Sequence, residues 1–195
     1  MNTAVASAAP PRKQHVPGEA GIWLFVAGDM VMFSLLFVIF LYYRGQNVDV
    51  FARSREHMNQ VFGALNTVLM LSSSWFVAMA VQAARRGCLQ LTRRLLTGAF
   101  LCGASFGVVK VFEYTEKISA GIVLTTNDFY IYYFVFTGIH MVHVLLAMGV
   151  LAFLTSHMRG PIQHTNALRN LESGATFWHL VDLLWIVLFA LFYLL

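Results

Sequence analysis

Five stretches of the chain run nearly free of charge for about the 20 residues that a helix, rising about 1.5 Å per residue, needs to cross a bilayer core about 30 Å thick. They fall at 21–43, 61–84, 94–114, 129–156 and 174–195. Backbone amides in hydrocarbon have no water to bond, so stretches of this length fold as helices, and the apolar/polar alternation of a membrane β-barrel is absent. The pattern predicts an all-α, polytopic membrane protein: one bundle of five transmembrane helices over 18–195. Residues 1–17, rich in alanine and broken by Pro10, Pro11 and Pro17, are expected to form a mobile tail. Arg12 and Lys13 follow the small residues instead of preceding an apolar run, the reverse of a secretory signal peptide. The last apolar run reaches Leu195, and no soluble domain is expected beyond it.

Composition agrees with this class. Hydrophobic residues make up 58% and charged residues 11% of the chain, against about 25% charged in soluble domains. A soluble globular protein and a disordered chain are both excluded. The net charge of +4 is scattered between spans instead of gathered on one face, so no nucleic-acid partner is expected. Eight basic residues flank the spans on the side of the N-terminus and four (Arg44, Arg53, Arg55, Lys117) on the other. The positive-inside rule then puts the N-terminus in the cytoplasm and the C-terminus in the periplasm. Cys88 and Cys102 form neither a CxxC pair nor a disulfide framework and are expected to be reduced. Small residues, Ser72 to Ser74 in the second span and Gly98, Gly103, Ala104, Ser105 and Gly107 in the third, predict close packing of those helices.

Ionisable groups at membrane depth are the candidate functional residues: Asp29, Lys110, Glu113, His140, His143, His179 and Asp182. Lys110 with Glu113, and His179 with Asp182, stand at i and i+3, where each pair neutralises itself as interhelical glue worth about 0.6 kcal/mol per hydrogen bond. Counted from the expected cytoplasmic edge, Asp29 lies at ~12 Å, His179 and Asp182 at ~8–12 Å, and His143 and His140 at ~18–24 Å. These heights predict a cluster of Asp29, His179 and Asp182, with Lys110–Glu113 as a separate pair near the outer edge. A bis-histidine haem is the competing reading of the histidines. His140 and His143, on one face of one helix, do not clamp one iron from both sides, and the expected height of His179 would demand severe tilts. No closed metal site, phosphate loop or catalytic nucleophile motif is present. Trp23 and Trp178, near the expected edge, are read as lipid contacts.

Four collinear motifs carry a family resemblance. Trp178-His179-Leu180-Val181-Asp182-Leu183-Leu184-Trp185 resembles the WHFVDVVW run in the last helix of subunit III of the haem–copper oxidases. Thr137-Gly138-Ile139-His140-Met141-Val142-His143-Val144 resembles the TGxHxxHV of that family, Glu113-Tyr114 its E-Y pair, and Leu65-Asn66-Thr67 its LNT helix opening. Asp29 stands where the family carries a buried carboxylate, and Glu172-Ser173-Gly174 resembles its acidic lead-in to the last helix. The family's long form has seven helices; the five here resemble the short bacterial form, most of all the accessory protein encoded with nitric oxide reductase.

The resemblance implies a non-catalytic subunit of the bacterial inner membrane that binds no haem or copper and holds structural phospholipid. It would pack against the catalytic subunit I of an oxidase or nitric oxide reductase and support proton uptake. A haem-carrying cytochrome b-type electron carrier and a proton-coupled transporter are the alternative classes; the transporter lacks the paired broken helices expected of it.

Overall fold

The computed structural model describes residues 18–157 and 165–195. Among these residues six helices follow one another: α1 (Ala20–Gln46), α2 (Val48–Glu56), α3 (Gln60–Arg85), α4 (Leu89–Ser119), α5 (Asp128–His157) and α6 (Thr165–Phe189), the last continued by a π-helical turn, Ala190–Leu194. There is no strand among the described residues. Five helices are long and apolar enough to cross a membrane, and the chain is a multi-pass membrane protein. The expected tail 1–17 lies outside the described residues.

The helices overrun the apolar spans. α4 passes both ends of the predicted 94–114 stretch, and α6 begins about two turns before the predicted 174. Hydropathy marks the lipid-facing length, whereas a helix continues through polar turns wherever its ends are capped. After α3, Gly87 at φ 75° lets Cys88 N–H bond Ala83 O and Gly87 N–H bond Ala84 O. After α4, Gly121 at φ 78° repeats the arrangement with Lys117 O and Ile118 O. Both are glycine caps of the Schellman type, in which only glycine takes the left-handed conformation without cost.

α2 was not among the predicted elements, being too short and polar for a hydropathy signal. It buries Phe51 and Ser54, and Phe51 meets Phe40 at 5.4 Å and Phe129 at 5.7 Å between ring centroids. α2 thereby closes one end of the bundle. There Arg44 donates to Leu195 O at 2.6 Å and Arg55 to Leu194 O at 3.0 Å. These arginines, which oppose the charge bias along the chain, satisfy backbone oxygens left over at the end of α6.

α3 to α6 form the core, with α3 packed on α4 and α6, and α5 on the other sides of both. The small residues act as expected at Ser73, which donates to Ala99 O at 2.9 Å, and at Gly98, which admits Phe76. α6 is the central helix: Trp178, Val181, Trp185, Leu188, Phe192 and Tyr193 are all fully buried. α1 lies outside against α5 and α6, burying only the stripe Asp29, Phe33 and Phe40. Its remaining apolar surface is open to lipid or to another polypeptide.

Candidate functional site

Three buried polar groupings, with ion pairs at the helix ends, tie the bundle together. The first centres on Lys110 and Glu113 of α4, each 1% exposed. One turn apart on a helix, they meet at 3.0 Å. Lys110 also donates to Tyr133 Oη of α5 at 3.2 Å and Tyr193 Oη of α6 at 3.0 Å, so all three ammonium protons are used. Both phenols donate in turn to Glu113 Oε1, at 2.8 and 2.5 Å. The Trp185 ring lies 4.9 Å from the ammonium, within cation–π reach. The predicted separate pair is thus the centre of a closed network joining three helices. Sequence reasoning missed Tyr133 and Tyr193, although a tyrosine hydroxyl in an apolar helix is itself a sign of a buried polar partner.

The second grouping corrects the predicted cluster. Asp29 faces His143, with Oδ2 3.1 Å from Nε2, and not His179 or Asp182. The height argument ignored direction around the helix axis: the Asp29 stripe is turned to α5, while His179 and Asp182 face α3. Asp29 is 9% exposed. The contact is at ion-pair distance without the alignment of a full hydrogen bond. His143 Nδ1 lies 2.9 Å from Ile139 O. A carbonyl only accepts, so Nδ1 carries a proton and Nε2 is the ring nitrogen turned to the Asp29 carboxyl. The dyad sets a carboxyl against an imidazole at membrane depth, on the side covered by α1. Asp29→Asn and His143→Gln are expected to be non-additive in thermal stability by about 1 kcal/mol, while Asp29→Asn and Asp182→Asn add within about 0.5 kcal/mol. Unfolding of the three single and two double variants in detergent measures both.

The third grouping joins α6 to α3. Ser74 Oγ lies 2.6 Å from His179 Nδ1 and within hydrogen-bonding reach of Asp182. Two turns along, Trp185 Nε1 donates to Thr67 Oγ1 at 3.1 Å. Asn66, fully buried beside Thr67, has no hydrogen-bond partner for its amide among the described residues, nor has Asp182 Oδ1. Such orphaned groups are where ordered water is required. Asn66 was legible only as part of the LNT motif.

At the helix ends Arg85 donates to Glu172 Oε1 from Nε at 3.1 Å and Nη2 at 2.8 Å, and Gly18 N–H reaches Glu172 Oε2 at 3.3 Å. Glu172 thus pins the start of α1 to α3 and α6. A bidentate guanidinium clamp of this kind is directional as well as charge-assisted.

His140 is separated from its neighbour His143. Its Nε2 donates to Val181 O of α6 at 3.0 Å, and its ring leans on Trp185 at 5.5 Å. The three membrane histidines thus aim at different helices: His140 at α6, His143 at α1 and His179 at α3. No three His, Cys, Asp or Glu side chains converge as ligands among the described residues.

The tryptophans divide. Trp23 is 43% exposed, whereas Trp178 is fully buried. Its ring lies over Gly103, where a Cβ would come within 2.8 Å of Cη2. The expected lipid contact at Trp178 is therefore corrected to a helix-to-helix contact, because glycine at 103 opens a slot in α4 that the indole fills.

The model of the family described as cytochrome c oxidase subunit III matches residues 13–195. The chain belongs to the cytochrome c oxidase subunit III family. Among its relatives in that family, cytochrome c oxidase subunit 3 of Corynebacterium diphtheriae is 28% identical over 90% of this chain and 86% of its own length. Quinol oxidase subunit 3 of Bacillus subtilis is 29% identical over 96% and 93%. Haem–copper oxidase subunit I+III of Aeropyrum pernix is 26% identical over 90% of this chain, which spans only 22% of that larger protein. In this subunit III family member the matched region takes in every grouping described above.

Proposed function

We propose that this chain is the non-catalytic accessory subunit of a respiratory haem–copper-type reductase of a bacterial inner membrane, where it braces the catalytic subunit I, supports proton uptake and holds phospholipid. The carrying observation is the Asp29–His143 dyad: a carboxyl and an imidazole 3.1 Å apart, buried under the outer helix α1, whose remaining surface is apolar and exposed among the described residues. The other membrane-depth charges are consumed in structural networks, which suits a subunit that supports turnover without carrying it out. The I+III relative, in which both regions occupy one polypeptide, supports a subunit I partner for this separate chain. The bias of basic residues along the chain supports a cytoplasmic N-terminus.

Two choices of reductase remain in play, each with its own support. The names of the relatives favour a cytochrome c or quinol oxidase. The Pro17-Gly18-Glu19 entry to α1 favours the nitric oxide reductase-associated form. Purification of the tagged chain from native membranes in mild detergent tests the proposal. A haem-bearing subunit I is expected in equal amount, and oxygen or nitric oxide reduction by the complex names the reductase. In that complex Asp29→Asn is expected to shorten turnover while leaving the haem spectrum unchanged. A chain that elutes alone, or a variant that loses haem, would overturn the assignment.

A further inference from the structure

α6 has α3 and α5 packed along it and α1 more lightly. One stripe of this central helix nevertheless stays open: Thr176, His179, Leu183 and Ile186 recur every three or four residues, with Leu183 50% and Ile186 41% exposed. The stripe lies between α1 and α3. On one flank Phe177 meets Phe25 of α1 at 5.5 Å between ring centroids, and on the other His179 meets Ser74 of α3. Leu71 and Trp75, both exposed, extend the open surface along α3.

His179 is half-buried near the middle of the membrane-crossing segment Ala167–Leu194. Its Nδ1 is committed to Ser74 Oγ at 2.6 Å, and Ser74 in turn reaches Asp182. Nε2 has no hydrogen-bond partner among the described residues and is not walled in by them. Both nitrogens of an imidazole form hydrogen bonds, so the polar seam between α3 and α6 ends in an unspent nitrogen at the surface of the bundle.

Hydrocarbon cannot satisfy that nitrogen. Acyl chains neither donate nor accept, and a polar group left unpaired among them costs free energy. Polar side chains within spans accordingly face protein and bond across helices. The outer face of α1 is the contrast: Leu24, Val31, Leu35 and Val38 are exposed and carry no polar side-chain atom, so lipid suffices there.

We propose that the open stripe of α6, between α1 and α3, docks one transmembrane helix of the catalytic subunit, with His179 Nε2 as its polar anchor. The docking helix presents a hydrogen-bonding side chain (Ser, Thr, Asn, Gln or Tyr) level with His179, and apolar or small residues against Leu183, Ile186 and Leu71. This deepens the proposed function, on whose subunit I partner it rests, by naming the face and the anchor.

The test is made on the complex in native membranes. A diazirine-bearing residue in place of Leu183 is expected to crosslink subunit I, identified by mass spectrometry, and the same residue in place of Leu35 on α1 to crosslink lipid. Leu183→Trp overfills the docking face without touching the packing inside the chain, and is expected to lower the subunit I recovered per tagged chain by at least about tenfold. His179→Leu is expected to lower it about threefold, the effect of one interhelical hydrogen bond, and His179→Gln to restore part of that loss. The amount of chain in the membrane is measured alongside, so that a folding defect is not read as lost docking. A crosslink from Leu35 and not Leu183, or lipid or another polypeptide alone at Leu183, would overturn the docking face and leave the subunit I partner intact. So would full recovery of subunit I by Leu183→Trp. A wild-type chain that recovers no subunit I would defeat both.

Discussion

Glu113→Ala is expected to cost the bundle about 3–5 kcal/mol, because it strands the Lys110 ammonium in the core with its carboxylate removed. Burial of both residues makes the loss large: neither reaches water, and the two phenols that remain are poor substitutes for an opposite charge. The double variant Lys110→Met, Glu113→Leu is expected to recover most of that loss, since an apolar pair needs no desolvation and Tyr133 and Tyr193 are placed to bond each other. Thermal unfolding in detergent and the amount of chain accumulating in membranes report both effects. If the double variant were as unstable as Glu113→Ala, the fold would depend on the ion pair itself and not on the filling of its site.

Trp178→Ala is expected to cost a similar amount, about 3–5 kcal/mol, by opening a cavity over Gly103. A lipid-facing tryptophan would lose far less, since lipid flows into the space that a truncated side chain leaves. The indole nitrogen has no hydrogen-bond partner among the described residues. The stabilisation is therefore one of shape, and Trp178→Phe is expected to keep more than half of it. Gly103→Val is the converse case, an overpacking that costs about 1–3 kcal/mol by driving the indole out of its slot. Unfolding midpoints of the three variants decide between a packed and a lipid-facing Trp178.

The two sites differ in how far the sequence revealed them. Lys110 and Glu113 announced each other, because i and i+3 on a helix are neighbours whatever the surrounding fold. Tyr133 and Tyr193, from two other helices, did not. Asp29 was legible as a costly buried carboxylate, and its height relative to the other groups was calculable. Its partner was not, since that depends on which neighbour each helical face meets. The same ambiguity misplaced Trp178: distance from the membrane edge suggested lipid, whereas rotation of α6 turned the ring onto α4. His140 and His143, one turn apart, reach two different neighbouring helices because α5 presents that face to the gap between them.

The sequence by itself determined that this is a five-span helical membrane protein, which residues carry charge into the membrane, and, through motifs spread over most of its length, its family. Those properties follow from the cost of exposing amides and charges to hydrocarbon, a cost paid residue by residue and readable in order along the chain. Only the tertiary structure decided that Asp29 faces His143 and not His179, and that two tyrosines complete the Lys110–Glu113 network. Each of these depends on how a helix is rotated about its axis and which helix lies beside it, and in lipid that choice is made by the summed packing of small and large side chains over whole interfaces.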